Sequence, residues 1–396
     1  MKTVTIVGTG MGPGTVTAEG LRAIESADVL LGAPRMLADY AYLNKTSVAA
    51  YTAEKIRPVL AEHCDGSYAV LVSGDTGFYS AAATLCRELE GCEVRVLPGI
   101  SSLNYFCARL GRTWQDTALV SCHGRNGSLV DTVRRSAATF ALTGGNIPDL
   151  ADALCRAGFG GLTARVGERL GMEEERILSM SVEQLKEENF DSLAVLLIEN
   201  PAPDDRTRCG IPDGEFVRGK VPMTKAEIRA ITMSKLGIRP VDVCWDVGCG
   251  TGSVTVEMAL AAYKGRVYGV DKNEEAVALT EQNAAAFHLG NVNAICGGAP
   301  EALRDLPTPD AVFIGGSGGR MDAVFDIILD KNPRARIVVN AIALESVQAA
   351  LAAFAAHGME PELVQVGVSA AKAVAGLHMM MAQNPIFIIS GGGSHE

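Results

Sequence analysis

No uninterrupted apolar run in the sequence is long enough to cross a bilayer, and no basic region followed by an apolar stretch stands at its start. Neither a membrane span nor a secretory leader is expected, and a cytoplasmic location follows as the expectation. The 10 cysteines include no C-x-x-C pair: the closest are Cys244 with Cys249 and Cys86 with Cys92, which indicates neither a zinc site nor a thioredoxin-type motif. Positive charge is also short. With 35 Lys and Arg against 46 Asp and Glu, the formal net charge is -11, the wrong sign for wrapping a nucleic-acid backbone. The 5% of aromatic residues offers few platforms for stacking RNA bases. An anionic metabolite is not excluded, because a local Arg can hold a carboxylate by a bidentate fork whatever the global balance. There is no short-period repeat, and the two halves do not look like copies of one another.

What is present is a soluble globular composition, 48% apolar and 20% charged over 396 residues, long enough for two or three domains. Short apolar runs at residues 4–7, 69–72, 94–97, 118–121, 140–143 and 193–198 alternate with helical segments, which reads as α/β. After residue 198 the periodicity lapses into a proline-rich stretch, so residues 201–223 are expected to link a domain over 1–200 to one over 224–396. Beyond it the alternation resumes, with strands expected near 241–247, 267–270, 311–314, 337–339 and 385–389. This is the order of a doubly wound parallel sheet closed by a late strand.

The sharpest local signal is Asp246, Val247, Gly248, Cys249, Gly250, Thr251, Gly252, at the end of an apolar strand and opening a helix near Ser253. Glycines at this place let backbone turn tightly against a ligand. Asp271 ends the next strand, 19 residues after Gly252, where a carboxylate can accept from both hydroxyls of a ribose. The spacing G-x-G-x-G, with an acid two positions ahead, differs from the dinucleotide pattern G-x-G-x-x-G and resembles the methyl-donor loop of Rossmann-like methyltransferases. A nicotinamide cofactor and a purely structural turn are the alternatives. The run from Val221 to Arg229, the stretch Gly315, Gly316, Ser317, Gly318, Gly319, Arg320 and the closing Asn384, Pro385, Ile386 extend the resemblance to the C15-methylating, decarboxylating enzymes of corrin synthesis. That resemblance implies that Thr224, Gly248, Cys249, Gly250, Thr251, Gly252, Asp271 and Ala299 contact S-adenosylmethionine. The family often has Gly-Asp-Ala-Pro where this chain has Gly297, Gly298, Ala299, Pro300, so the backbone around Ala299, or a water, is expected to meet the adenine instead.

In the N-terminal half, Gly8, Thr9, Gly10, Met11, Gly12, Pro13, Gly14 follow the first strand, but no acid ends the next one, which lowers the nicotinamide reading. Further on stand Ser73, Gly74, Asp75, Thr76, Gly77, Phe78, then Pro98, Gly99, Ile100, Ser101, Ser102, then Ser121, Cys122, His123, Gly124, Arg125. The ordered set resembles the tetrapyrrole methylase family, and the Ser-x-His-Gly-Arg segment its C5-methylating corrin members. The resemblance implies a two-lobed fold with S-adenosylmethionine between the lobes, lined by Pro13, Gly74, Asp75, Ser101, Ser102 and Thr143. Asp75 can equally cap the helix that follows it, and His123 is as readily a satisfied structural imidazole as a substrate contact.

Substrate contacts are expected from Arg320 and Ser317 in one half and from His123 and Arg125 in the other. For Arg320, a Gly-rich approach with a guanidinium at its end suits a substrate carboxylate, the alternative being a solvated surface Arg. Taken together the halves resemble fused precorrin C5,15-methyltransferases of cobalamin biosynthesis. Such a resemblance implies a precorrin-type tetrapyrrole substrate, one donor site per half, loss of CO2 from the C12 acetate, no metal, and no nucleic-acid or membrane partner; self-association into a homo-oligomer stays open.

Overall fold

The structure is a computed structural model that describes residues 3–62, 66–89, 91–122, 129–374 and 376–393. Strands up to Glu199 belong to one compact unit and everything from Pro201 on to another.

The first unit carries two sheets. The N-terminal one is built from β1 (Thr3–Gly8), β2 (Val29–Leu31), β3 (Thr46–Val48), β4 (Ser67–Val72) and β5 (Glu93–Leu97), all parallel in the order β3-β2-β4-β1-β5. Its inner strands β2, β4 and β1 are buried on both faces, as helix-covered parallel sheets require, while the edge strands β3 and β5 are largely exposed. Val4, Ile6, Tyr68, Val70 and Val72 enter one core cluster, while the alternating Val7, Ala69 and Leu71 enter another. The second sheet holds β6 (Ala118–Ser121), β7 (Ala138–Leu142), β8 (Thr163–Glu168), β9 (Arg176–Ser181) and β10 (Ala194–Glu199) in the order β6-β7-β10-β8-β9. Only β6 with β7 is parallel there; the pairs β7-β10, β10-β8 and β8-β9 are antiparallel.

In the second unit, β11 (Val243–Val247), β12 (Arg266–Asp271), β13 (Val292–Cys296), β14 (Ala311–Ile314), β15 (Arg336–Ala341), β16 (Glu362–Val366) and β19 (Ile386–Gly391) make a seven-stranded sheet in the order β13-β12-β11-β14-β15-β19-β16. The five central and outer strands β11 to β15 run parallel, and β19 inserts antiparallel to β15. Alternate residues serve opposite faces. Trp245, Val247, Val312, Ile314, Ile337 and Val339 pack under the helices Met321–Lys331 and Leu344–Ala356; Cys244, Phe313, Val338 and Ile388 face the helices Ala226–Leu236 and Ser253–Ala261. The expected doubly wound sheet is therefore present, closed by a late strand. Strands β3, β8, β9, β13 and β16, and the exposed hairpin of β17 (Ser369–Val374) with β18 (Leu377–Ala382), were outside the sequence expectation.

The expected linker needs a correction. From Ile211 onward it is built into the second unit, with Ile211 and Phe216 in the core. Gly210 and Ile211 each donate a backbone N–H to the Glu257 carboxylate at 2.9 Å, and Val217 donates to Asn283 Oδ1 at 2.7 Å. Prolines make the stretch aperiodic, but the burial of Ile211 and Phe216 and these hydrogen bonds anchor it to the second unit.

Candidate functional site

The loops leaving β13, β12, β11 and β14 line up along one edge of the second unit's sheet in that spatial order. Strand order reverses between β11 and β14, and open α/β sheets form a ligand crevice where that happens. A cavity of about 380 Å³ lies there, within the ~300–1,000 Å³ usual for small-molecule sites. Its wall includes Gly248, Cys249 and Gly250 after β11, Asp271 and Lys272 after β12, Gly297, Gly298 and Ala299 after β13, and Ser317 and Arg320 after β14.

Gly248 and Cys249 both donate their backbone N–H to Val270 O, at 2.8 and 3.2 Å, which pins the loop to the neighbouring strand. Gly252 then takes a φ of 74° to enter the helix. A Cβ at that position would lie 2.8 Å from Thr280 Cα, so the turn requires glycine on both counts. Of the five loop residues expected at the ligand, only the first three reach the wall. Thr251 is fully buried behind it, held through its carbonyl by Asn283 Nδ2 at 2.8 Å, and Gly252 is occupied by the start of the helix.

Asp271 closes the base. Its Oδ2 accepts from Gly250 N at 3.1 Å and its Oδ1 from Asn273 N at 3.0 Å, leaving further lone pairs on a carboxylate that walls the cavity. Asp246, two residues before Gly248, is completely buried and faces the helix rather than the cavity: Oδ2 accepts from the Thr255 hydroxyl at 2.5 Å, and Oδ1 has no hydrogen-bond partner among the described residues. Burial pushes its carboxyl up to about 7 against the pull of the Thr255 hydrogen bond, and the charge of Asp271 adds to the rise. Burial also lifts the Cys249 thiol to about 12, so it stays protonated and serves as a small buried side chain.

Thr224 joins the wall by a route that crosses the buried ionic core of the unit. Arg229 is fully buried; its Nε donates to Glu257 Oε1 at 2.8 Å, one Nη donates to Asp213 Oδ1 at 3.0 Å and to the Thr224 carbonyl, and the other Nη donates to Ile211 O. The Phe216 ring lies 4.8 Å from the guanidinium carbon. Four backbone and carboxylate partners on one planar group thus fix the segment that carries Pro222 and Thr224 against the loop after β11.

The expectation for Arg320 is altered by its partners. Nη1 and Nη2 donate to the two oxygens of Glu301 at 2.7 Å each, and Nη2 also reaches the Ala299 carbonyl. The fork that would grip a substrate carboxylate is already filled by one from the chain itself. Because Glu301 and Ala299 follow β13 while Arg320 follows β14, the contact joins the two outermost loops of the crevice. Ser317 stands on the same wall, so both residues expected at the substrate line the nucleoside-type cavity.

In the first unit the loops after β4, β1 and β5 converge in similar fashion. Gly10 and Gly74 exchange backbone hydrogen bonds at 3.1 and 2.9 Å. A Cβ at Gly99 would sit 2.2 Å from Gly74 O, which is why three glycines meet there. Asp75 does not cap a helix: Oδ2 accepts from Gly77 N and Oδ1 from Gly99 N, both at 3.0 Å, tying two of these loops together. Ser101 is the residue that caps, its hydroxyl accepting from Asn104 N at 3.1 Å at the start of the helix Ser102–Arg109. Pro13 opens a short 3-10 turn on the surface. Thr143 is fully buried; its hydroxyl donates to Ala194 O at 2.8 Å and accepts from Gly145 N at 3.5 Å. His123 and Arg125 lie outside the described residues.

Two families match in sequence: the tetrapyrrole (corrin/porphyrin) methylases over residues 3–186 and the precorrin methyltransferase domain over residues 215–391. The precorrin-6Y C(5,15)-methyltransferase (decarboxylating) of a Sinorhizobium species is 36% identical over 283 residues, which cover 69% of this chain and 68% of that protein. The chain belongs to the decarboxylating precorrin methyltransferases. A second relative, the probable cobalt-precorrin-6B C(15)-methyltransferase (decarboxylating) of Pyrobaculum calidifontis, is 42% identical over 184 residues, covering 46% of this chain and 94% of its own. A crystal structure of precorrin-6y C5,15-methyltransferase from Geobacter metallireducens GS-15 is similar at 35% identity and a TM-score of 0.45, covering 47% of this chain and 97% of that one.

For a precorrin methyltransferase, the residues that sequence reasoning passed over are those that hold others. Glu257, Asp213 and Glu301 touch no expected ligand, yet they fix Arg229 and Arg320. Nothing in the local sequence marks them, since their partners lie 28, 16 and 19 positions away. Lys272, on the cavity wall next to Asp271, was accessible to position alone.

Proposed function

We propose that this chain transfers methyl groups from S-adenosylmethionine to C5 and C15 of a precorrin and removes the carboxyl of its C12 acetate, with a separate donor site in each half. The observation that carries the reading is the cavity between the loops after β11, β12 and β13, where an acid at the strand end faces a glycine turn. The group fits what is there: Gly248 and Gly250 bring bare backbone to the wall, and Asp271 keeps lone pairs for the two hydroxyls of a ribose after serving Gly250 and Asn273. Gly298 offers no side-chain acceptor, so backbone at Ala299, whose carbonyl has a second lone pair beside the one that meets Arg320, is the available partner for an adenine amino group. When bound, S-adenosylmethionine supplies an electrophilic methyl group.

The rest of the chemistry asks the chain mainly for placement. Methylation of an electron-rich ring carbon needs contact and alignment, worth ~7–11 kcal/mol of barrier in well-oriented intramolecular cases, more than it needs a strong base. Thr224, positioned through Arg229, and the loop residues Gly248, Cys249 and Gly250 would orient the donor. In the first unit Pro13, Gly74, Asp75, Ser101 and Ser102 are the proposed counterparts, with His123 and Arg125 as substrate contacts by resemblance. The burial of Asp246 and Cys249 keeps both out of proton transfer at the ligand.

Incubating the full chain with a precorrin and methyl-labelled donor, then weighing the product, tests the proposal. Two labelled methyl groups and one lost carboxyl are expected. A product unchanged in mass, with donor bound, would end the proposal.

A further inference from the structure

Beside the nucleoside-type cavity lies a second one, of about 510 Å³. It is walled by residues 222–228, by the turn that leaves β15 (Asn340 to Ser346), and by the stretch that enters β19. Three residues, Pro222, Thr224 and Gly315, belong to both walls. The order of the sheet explains this: the first cavity is framed by loops after β13, β12, β11 and β14, and the second by those of β14, β15 and β19, the next strands along.

We propose that the second cavity receives the reacting edge of the tetrapyrrole, and that Arg320 is a positioning residue of the donor cavity rather than a clamp on the macrocycle. The proposal rests on the methyltransferase reading above and deepens it by locating the acceptor. Methyl transfer requires the acceptor carbon to approach within ~3–3.5 Å of the donor methyl, so the acceptor must sit where no protein wall intervenes. Of the two flanks of the donor cavity, the one at Arg320 is bridged by the paired Arg320 and Glu301. The other flank, at Pro222, Thr224 and Gly315, carries no such ion pair and is the side on which the second cavity adjoins the first.

The chemistry of that space suits a flat conjugated ring with a polar periphery. Ile342, 60% exposed, and Leu344, 69% exposed, leave apolar surface at and next to the rim, where a macrocycle face would cover it. Among the described residues of the wall, Lys225 carries the one full charge, and Asn340, Ser346, Gln383 and Asn384 add neutral hydrogen-bonding groups. Lys225 is already paired with Asp213 at 3.2 Å, so these neutral groups suit peripheral acetates and propionates that are hydrogen-bonded at the open rim with their charge kept in water. Asn340 is held from behind by the Thr232 hydroxyl, its Nδ2 donating at 2.9 Å, so it is set rather than adaptable.

Two substitutions at the rim and one at the bridge separate the outcomes. Ile342→Glu and Ser346→Tyr should each raise the Michaelis constant for the precorrin about tenfold or more in a CO2-release assay, and leave the affinity for S-adenosylhomocysteine unchanged. Arg320→Ala should do the reverse, weakening S-adenosylhomocysteine and sparing the Michaelis constant for precorrin. In a second measurement, hydrogen exchange of the full chain with and without uroporphyrin III, a stable polycarboxylate tetrapyrrole, protection is expected at residues 222–228 and 340–346. Protection confined to residues 297–301 and 315–320, or a precorrin Michaelis constant that responds to Arg320→Ala and not to the rim, overturns the placement. Absence of CO2 release and of methyl transfer in the parent would instead strike the methyltransferase reading, and the exchange pattern would still decide where a tetrapyrrole binds.

Discussion

Replacing Asp271 by Ala removes a carboxylate with two separate tasks, and the structure gives each a magnitude. Towards the chain it accepts from Gly250 N at 3.1 Å and Asn273 N at 3.0 Å, pinning the glycine turn to the end of β12. Towards the cavity it keeps about two of the four lone-pair positions that a carboxylate offers. Hydrogen bonds to a charged acceptor are worth ~1.5–3 kcal/mol net, so losing the ligand-facing interaction predicts an affinity ~10–150 times weaker for the nucleoside product S-adenosylhomocysteine. Loosening the turn adds to this, and Asp271→Asn separates the two contributions because the amide keeps one acceptor oxygen. Calorimetry on the full chain is the assay. Two binding events are expected in the parent, with Asp271→Ala weakening one of them, Asp271→Asn falling between, and the other event untouched. If both events keep the parent affinity in Asp271→Ala, the acid is not part of a ribose site and the cavity has been read wrongly.

Two further outcomes follow from the buried charges. Asp246 has a folded-state pKa raised from 3.8 to about 7 by burial, so the neutral form stabilises the fold. That stability is complete below pH ~3.8 and is lost as pH rises through about 7, a swing on the order of 4 kcal/mol. Urea unfolding of the parent against Asp246→Asn across that window should show the parent losing stability relative to the variant, and parallel curves would mean the carboxyl is solvated or paired. Arg229→Met strands Glu257, which is itself fully buried; loss of one partner of a buried pair costs ~3–5 kcal/mol. The melting temperature should drop and S-adenosylhomocysteine binding should weaken with it through Thr224, whereas the pair Arg229→Met with Glu257→Leu should recover part of the stability but not the affinity; a double variant as unstable as the sum of both singles refutes the pairing.

How far the sequence reached depended on whether a residue's task is set by its own backbone or by a distant partner. The turn at Gly248 to Gly252 was legible because its demand is local: a strand must become a helix within a few residues, and at Gly252 neither the φ of 74° nor the contact with Thr280 tolerates a side chain. Asp271 was legible for a similar reason, its distance from the glycines being fixed by one helix and one strand. The doubly wound order followed from continuous apolar runs, which only a sheet covered on both faces produces. The exposed β17 and β18, by contrast, bury no face and leave no periodic signal. The stretch before residue 224 was misjudged because proline content reports the absence of regular structure, not of burial, and Ile211 and Phe216 sit in the core without belonging to a helix or a long strand.

Arg320 shows where local reading ends. A glycine-flanked arginine at a crevice mouth has the right reach for a substrate carboxylate, and nothing within ten positions contradicts it. Its actual partner, Glu301, stands on another loop, three strands across the sheet. A side chain about half exposed adds ~0–1 kcal/mol through an ordinary surface ion pair, but here the fork is bidentate and its third bond goes to the Ala299 carbonyl, in the loop that carries Gly298. A Cβ at Gly298 would lie 3.8 Å from Arg320 Nη2, so an acid at that position would compete with Glu301 for the same guanidinium. With glycine at 298 no acid competes there, and the guanidinium fastens the loop after β13 through Glu301 and the Ala299 carbonyl. Gly298→Asp tests this directly, since it should draw Arg320 from Glu301 and change S-adenosylhomocysteine affinity only where Arg320 is present; the same change in an Arg320→Ala background would show that the two positions act independently.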